Sequence, residues 1–295
     1  MGQKANSTSL RLGIKKSWPS KYIEKTPEEL SFLVFQDLQI RKYIDRFLKF
    51  HGLTMHTCTI HRSQYNLELF ISYFTTLSAI KTIKTINNKR FDKKIPISSL
   101  LQYKIFTRKN NFKNKKFLST KNFINKLLTS LGLFLKKKYT INILLQNLNK
   151  SLSTRLTNNE SASFRKSMLH LRYYSKSFFF LESINILLIS IRKRHSAKIL
   201  SEFISSKLSL LKRHNYFLTF IRRTLLLLIN SKYSFVQGLK LRISGRFNGA
   251  PRSKTRVFQI NKIPLQTLES NINYHQSTSF TGNGTFGIKL WISEK

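Results

Sequence analysis

The chain has 295 residues, and its 53 lysines and arginines oppose only 12 aspartates and glutamates, which gives a formal net charge of +41. A charge of this size repels itself unless anions surround the chain, so it predicts a polyanionic partner. The single cysteine, Cys58, excludes an intramolecular disulfide framework. The most apolar stretch, residues 178–191, carries Glu182 and Asn185 and is shorter than the ~20 apolar residues that a membrane-spanning helix needs, which argues against a membrane partner.

The sequence of the N-terminal half predicts a basic arm followed by a small α+β domain. Residues 1–25 form the arm, which we expect to become ordered on RNA. Thr26, Pro27 and Glu29 then supply an N-cap, a proline at the first helical position and the glutamate of a capping box, so a helix should begin here and end before Gly52. Strands are predicted at 55–61 and 66–74, a helix at 117–132 and a strand at 139–145.

Two segments interrupt the regular pattern. Residues 75–116 contain twelve lysines and arginines and only one acid, Asp92, which predicts an expanded basic loop inside the domain 26–150. Residues 151–195 are first rich in Ser, Thr and Asn and then aromatic and apolar. We interpret both segments as insertions that lie against RNA or a neighbouring protein.

The C-terminal part, 196–295, predicts helices followed by a sheet. Apolar residues recur at helical spacing over 196–230. In the strand 239–244, three apolar residues alternate with Lys240, Arg242 and Ser244, which predicts one core face and one cationic face. A turn with two glycines follows, and a second alternating strand spans 286–292. The cationic candidates of the turn and the next strand are Arg246, Arg252, Lys254 and Arg256.

Several segments resemble the universal small-subunit ribosomal protein S3 family. The segments GLKLRISGRFNGA, IPLQTLESNINYH and GIKLWI, within 238–292, resemble its C-terminal signature, and MGQKANSTSLRLGIKKSW at 1–18 resembles its N-terminal arm. LQIRKYI at 38–44 falls where the family has a similar helix. The resemblance covers roughly residues 1–74, 117–150 and 196–292.

The resemblance implies an α+β fold with a type II KH-like domain at 26–150 and a C-terminal α/β domain with a mixed sheet at 196–295. It implies a structural protein in the head of the small ribosomal subunit, with small-subunit rRNA, neighbouring head proteins and mRNA, where it enters the subunit, as partners. At the family's basic helix beside the mRNA, Leu218 and Thr219 replace a basic pair, and Arg222 stands at a lysine. The RNA-binding candidates outside the sheet are Lys4, Arg11, Lys15, Lys16, Lys212, Arg213, Arg222 and Arg223.

A KH module normally grips nucleotides through a G-x-x-G loop, where missing side chains let the backbone approach phosphates. No glycine occurs between Gly52 and Gly132. We therefore expect the KH scaffold to be retained for packing, without the usual clamp.

No residue pattern predicts catalysis, a metal or a cofactor. Residues 282–287 match G-x-G-x-x-G, but a strand follows where the dinucleotide motif needs a helix, so we expect a hairpin turn. His56, Cys58 and His61 lack an evident fourth zinc ligand. The alternatives left open are a free RNA-binding regulator and a non-catalytic subunit of an organellar RNA-processing enzyme.

Composition and the start of the resemblance together predict an organelle-encoded protein. Lys, Asn, Ile, Phe and Tyr are abundant, as an A+T-rich gene favours. The resemblance begins at Met1, which leaves no room for an import presequence ahead of it. We expect the mitochondrial ribosome, in preference to that of the plastid.

Overall fold

The computed structural model describes residues 5–76, 120–136, 138–150, 157–231 and 234–295. These residues form two compact units. The N-terminal unit spans 20–147, and the C-terminal unit combines 148–295 with the first 19 residues. Among the helices described in these ranges, none combines the length and the apolar character needed to cross a membrane.

The N-terminal unit is built from two helices and a mixed four-stranded sheet. The elements in chain order are β1 (Ser20–Lys21), α1 (Pro27–Phe50), β2 (Leu53–Arg62), β3 (Asn66–Thr75), α2 (Thr120–Phe134) and β4 (Thr140–Asn147). The strand order is β1-β2-β3-β4. The β2–β3 pair is an antiparallel hairpin, whereas β1–β2 and β3–β4 are parallel. The parallel β3–β4 pair requires a crossover connection, and α2 lies in it.

The start and end of α1 follow local rules only in part. Pro27 occupies the first helical turn and Thr26 the extended N-cap position, but the Thr26 side chain accepts no hydrogen bond. The Glu29 carboxylate instead accepts a hydrogen bond from the Lys25 N–H at 3.1 Å. The predicted helix start is therefore confirmed and the predicted capping box is wrong, because the glutamate reaches one residue further back. The helix ends at Phe50, and Gly52 follows at φ +71°.

The core of the N-terminal unit lies between the helices and one face of the sheet. Apolar side chains at helical spacing on α1 meet alternate residues of the strands, as amphipathic periodicity requires. The buried cluster contains Ile40, Ile44, Leu48, Met55, Cys58, Ile60, Leu67, Leu69, Ile71, Leu127, Leu131 and Leu135.

The C-terminal unit has a four-stranded sheet that is antiparallel throughout. Its strands are β5 (Val236–Gly245), β6 (Lys254–Ile260), β7 (Ile272–Thr281) and β8 (Gly284–Glu294), in the order β6-β5-β8-β7. Every pair in this sheet is antiparallel, so the mixed sheet predicted for this domain is wrong here and belongs to the N-terminal unit. The reason is the connections: a two-residue turn at Gly282 and Asn283 joins β7 to β8, and such a short link permits only antiparallel pairing.

Four helices precede this sheet in the unit: α3 (Asn158–Leu169), α4 (Phe180–Arg192), α5 (Ala197–Leu210) and α6 (Asn215–Ile229). The last three cover one face of the sheet in two layers. Helix α5 packs across β7 and β8, helix α6 contacts β5 and β6, and α4 packs on both helices. The inward residues of β5 and β8, among them Leu241, Ile243, Ile288 and Leu290, are fully buried beneath them.

We expected the segment 151–195 to lie against RNA or a neighbouring protein, but part of its second half is buried within the C-terminal unit. Leu171, Tyr174 and Phe179 are at most 2% exposed, and the inward side of α4 is buried with them. The Lys207 ammonium on α5 lies 2.6 Å from the Glu182 carboxylate on α4, which ties the two helices together. Leu171, Tyr174 and Phe179, with the inward side of α4, therefore belong to the core of the C-terminal unit, and long-range packing decides this role.

The predicted basic loop lies almost wholly outside the described residues. Of 75–116, the structure describes only Thr75 and Thr76, at the end of β3.

Candidate nucleic-acid interface

The predicted two-faced strand is present in β5. Leu239, Leu241 and Ile243 are at most 1% exposed and face the helices. Arg242 is exposed and Lys240 is partly exposed on the opposite side. Because successive side chains of a strand point to opposite faces, the apolar positions place both cations away from the core.

Strand register extends this polar side over the whole sheet, and we call it the open face. Arg242 pairs with Lys289 of β8, and Lys240 pairs with Trp291, which in turn pairs with Tyr274 of β7. Sequence reasoning missed Lys289, although its position between Ile288 and Leu290 is a signal of the same alternation. The open face comprises Lys240, Arg242, Ser244, Thr255, Val257, Gln259, Tyr274, Gln276, Thr278, Phe280, Thr285, Lys289 and Trp291.

The open face carries no carboxylate. None of its positions is Asp or Glu, and among the described residues Lys240, Arg242 and Lys289 have no hydrogen-bond or ion-pair partner. Val257 is 51% exposed and Phe280 is 73% exposed, so the helices do not cover this side. Unpaired cations on an accessible, acid-free face of a sheet attract phosphates without competition from carboxylates on the same face.

The turn after β5 holds Arg246 at the edge of the sheet. Asn248 at φ +55° and Gly249 at φ +76° reverse the chain, and the Arg246 Nε donates to the Ala250 carbonyl at 3.0 Å. Of the two glycines of this turn, Gly249 has the positive φ, whereas Gly245 permits close packing. A Cβ at Gly245 would lie 2.3 Å from Cδ1 of the buried Phe286, so a glycine is needed for close approach.

The remaining cations of this segment do not join the open face. Arg252 and Lys254 are exposed at the start of β6. Arg256 pairs with Ile243 and therefore lies on the side of the helices, where its guanidinium carbon is 4.6 Å from the centroid of the Phe247 ring. This cation–π contact holds Arg256 against the protein. Of the six cations predicted in β5, the turn and β6, Lys240 and Arg242 thus lie on the open face, whereas Arg256 lies on the side of the helices.

The cations near α6 fall into three environments. Lys212 and Arg213 are exposed in the connection between α5 and α6, and so precede the helix. Arg222 points outward and has no polar partner within the described part of the chain. Arg223 is exposed but donates from Nη1 to the Tyr174 hydroxyl at 3.2 Å. Arg213 and Arg222 do not share one helix, because α5 ends at Leu210 and α6 begins at Asn215. Leu218 is buried and Thr219 is exposed.

Residues 5–19 of the arm are part of the C-terminal unit, and two of their cations are buried. Arg11 is fully buried and donates to the carbonyls of Ser7, Leu265, Thr267 and Ser270 at 2.6–3.1 Å. The assignment of Arg11 as an RNA contact is therefore wrong, since all of these donors serve backbone acceptors. Its contacts also show that the arm is ordered on the protein itself.

Lys16 is buried too, at 6% exposure, and Nζ donates to the Asn273 Oδ1 at 3.3 Å. The RNA contact proposed for Lys16 is wrong for the same reason, because its ammonium faces protein. Lys15 is exposed and remains a candidate, and Lys4 lies outside the described residues.

The pKa of Lys16 is lowered to about 8, mainly by burial, while nearby Glu294 opposes the shift and nearby Arg11 contributes to it. We expect the stability of the C-terminal unit to rise as the pH increases from about 8 towards the ordinary lysine value of 10.5. In this window the unfolded chain binds a proton at Lys16 that the folded chain has lost. Below about pH 8 both states are protonated and the contribution is constant.

Thermal unfolding followed by tryptophan fluorescence between about pH 7 and pH 10 measures this effect. In the Lys16→Met variant, the part of the increase in stability with pH that comes from Lys16 should be absent. Lys15→Met, which removes the same charge from an exposed neighbour, should keep it. Identical pH profiles for the two variants would show that Lys16 does not titrate in this range.

The motifs set aside in the sequence have structural roles. Residues 282–287 form the β7–β8 hairpin, as predicted, with Gly284 at φ +122°. The His56 ring accepts or donates a hydrogen bond through Nδ1 to Ser72 Oγ at 2.9 Å. Within the described ranges, no three His, Cys, Asp or Glu side chains are grouped so that they could hold a metal ion.

The segment that carries the open face is similar to a known protein family. Residues 212–292 match the family model described as "Ribosomal protein S3, C-terminal domain". The matched segment begins just before α6 and includes nearly all of the second sheet.

Three relatives illustrate the extent of the similarity. The "Small ribosomal subunit protein uS3c" of Euglena longa is 26% identical over 295 residues, the whole of both chains. The protein of that name from Guillardia theta is 35% identical over 96 residues, 32% of this chain and 42% of the relative. The "Small ribosomal subunit protein uS3" of Neorickettsia sennetsu is 29% identical over 119 residues, 40% of this chain and 53% of the relative. The last two alignments therefore span about half of the relative or less.

Proposed function

Because the chain belongs to the ribosomal protein S3 family, we propose that it is a structural constituent of an organellar small ribosomal subunit and binds small-subunit rRNA through the open face. The family is a structural component of the ribosome, and the protein is not an enzyme. The observation that carries the rRNA proposal is that the family match at 212–292 includes the acid-free, cationic open face. Phosphate contacts supply most of the affinity of such a surface.

The experiment that tests this proposal is sedimentation of organellar extracts with an antibody to the protein. A ribosomal protein should travel with the small subunit and leave it only at high salt, since many counterions exchange when phosphates are released. Sedimentation as a free protein at low salt would favour the alternative, an RNA-binding regulator outside the ribosome.

We propose that the N-terminal unit is a type II KH-like scaffold. Support comes from the order helix, two strands, helix, strand over 27–147 and from the parallel pairing of β3 with β4. The absence of glycine between Gly52 and Gly132 argues against a G-x-x-G clamp. The scaffold then contributes packing and placement rather than autonomous binding of single strands.

We propose the plastid as the compartment. The relatives from Euglena longa and Guillardia theta carry the plastid-type name uS3c. Our preference for the mitochondrion rested on A+T-rich composition, which does not discriminate between the genomes of the two organelles. Immunoblotting of purified plastids and mitochondria decides between them.

We also propose that α6 lies beside the mRNA where it enters the subunit, together with neighbouring head proteins. Arg222 is the outward cation of α6 that remains for this role, because Arg223 is bonded to Tyr174. We expect Arg222→Ala to slow translation of messages with a stable downstream hairpin more than that of unstructured messages, since a cation there stabilises separated strands.

Arg223→Ala is the matched control for Arg222. It removes the same charge one residue along the helix, but its loss should weaken the contact with Tyr174 and affect both kinds of message equally. Equal slowing by Arg222→Ala, together with impaired subunit assembly, would assign Arg222 to rRNA anchoring.

A further inference from the structure

The open face has an aromatic pair among its cations. The Trp291 and Tyr274 rings lie on neighbouring strands with centroids 5.2 Å apart and an angle of 37° between their planes. Both side chains are partly exposed. The Tyr274 hydroxyl donates to the Gln276 amide oxygen at 3.2 Å, and this hydrogen bond helps to orient the Tyr274 ring.

This pair does not belong to the hydrophobic core. The helix side of the same strands is filled by Leu290 and Ile292, which are at most 1% exposed. Trp291 lies between them in sequence and therefore points to the opposite side. An aromatic pair that leaves ring surface accessible on a cationic sheet is available to a ligand with a flat apolar surface.

Two ammonium groups flank the indole. Lys240 is the direct partner of Trp291 on β5, a spacing of ~5 Å between Cβ atoms, and Lys289 is two residues away on the same strand, ~7 Å. Gln259 and Gln276, which pair with Lys240 and Lys289, add amide donors and acceptors beside them. A stacking surface with a cation on either side and polar amides at the rim matches the chemistry of a nucleotide, which has a flat base, a phosphate and hydrogen-bonding base edges.

We propose that an unpaired nucleotide of RNA stacks on Trp291 and Tyr274, with its flanking phosphates at Lys240 and Lys289. This deepens the proposed function and rests on it. The nucleotide is unpaired because a base within a duplex already has both faces stacked and offers none to the protein. RNA is favoured over an acidic protein because the accessible aromatic surface and the cations occur together, and a nucleotide offers both a flat base and a phosphate.

The test uses Trp291 as its own reporter in the full-length chain. The protein has two tryptophans, and Trp18 is 60% exposed on the arm, so Trp18→Phe leaves Trp291 as the sole indole at little structural cost. A mixed-sequence single-stranded oligoribonucleotide should quench Trp291 fluorescence, and the same strand annealed to its complement should not.

Affinity gives the second measurement, by anisotropy of the labelled RNA. Trp291→Ala should weaken single-strand binding roughly 10-fold or more and leave duplex binding nearly unchanged, whereas Trp291→Phe, which keeps an aromatic face, should lose much less. Trp18→Ala, which removes an exposed tryptophan outside the open face, is the matched control and should change neither.

The outcomes separate this proposal from the proposed function. Absence of quenching, or equal loss of single-strand and duplex binding in Trp291→Ala, overturns base stacking while RNA binding itself stands. Quenching by an acidic ribosomal protein and not by RNA also overturns it. Failure of the unmodified chain to bind either form of RNA would count against the proposed function instead. The quenching result needs no substitution at Trp291, so it holds even if Trp291→Ala does not fold.

Discussion

Replacing Asp37 by alanine is expected to destabilise the N-terminal unit by about 3–5 kcal/mol. The Asp37 carboxylate on α1 accepts hydrogen bonds from Nε and Nη2 of Arg62 on β2 at 2.9 and 2.6 Å, and both side chains are at most 4% exposed. Arg62 also donates to Gln36 at 2.8 Å and lies 5.6 Å from the centroid of the Tyr139 ring. Removal of Asp37 leaves a guanidinium buried without its counter-charge.

Urea unfolding followed by circular dichroism measures this effect, and tryptophan fluorescence supplies an internal reference. Both tryptophans lie in the C-terminal unit, so their transition should stay unchanged while the dichroism transition moves to lower urea. Lys49→Ala is the control, because Lys49, which pairs with Asp45 on the same helix, is half exposed and pairs at the surface contribute under ~1 kcal/mol. If Asp37→Ala behaved like Lys49→Ala, the buried pair would not stabilise the fold.

Reversing the charge of Arg242 and Lys289 together is expected to weaken binding to small-subunit rRNA by at least about 10-fold at physiological salt. The two residues are direct partners across β5 and β8 and form the centre of the cationic surface. Each lost phosphate contact lowers the slope of log affinity against log salt by about 0.7–0.9, so the double variant should lose about 1.5. Filter binding over a range of salt concentrations gives both quantities.

The matched control reverses Arg165 and Lys166, two exposed cations on α3 in the same unit. It changes the net charge equally but leaves the open face intact. If both double variants lost the same affinity and slope, binding would depend on net charge alone, and the open face would not be the interface.

Local rules predicted the elements whose boundaries depend on near neighbours. Pro27 and Gly52 predicted the limits of α1, and period-two alternation predicted the strands β2, β3, β5 and β8. The capping box was wrong, because it depends on where a side chain lies: Glu29 reaches back to Lys25. Local rules also gave no sign that Phe286 is the group that approaches Gly245 closely.

Contacts between distant segments were beyond these rules. Nothing in the sequence indicates that Asp37 pairs with Arg62. The sequence shows Asp37 simply as one of twelve acidic residues. Helices α5 and α6 cover the sheet, and α4 packs on both of these helices. The inward side of α4 is buried for this reason. The direction of strands in the second sheet depended on connections that the alternation pattern does not encode.

Net charge and alternation alone determined the class of partner and the cationic side of β5, because charge is additive along a chain and side-chain direction in a strand has a period of two. Only the tertiary structure decided which cations are available to RNA. Arg11 was an equal candidate with Lys15 until its contacts with Leu265–Ser270, over 250 residues away, placed it inside the protein. Lys289 joined Arg242 because strand register aligned them. The role of a cation depends on the groups that surround it in space, and the order of residues along the chain does not specify those groups.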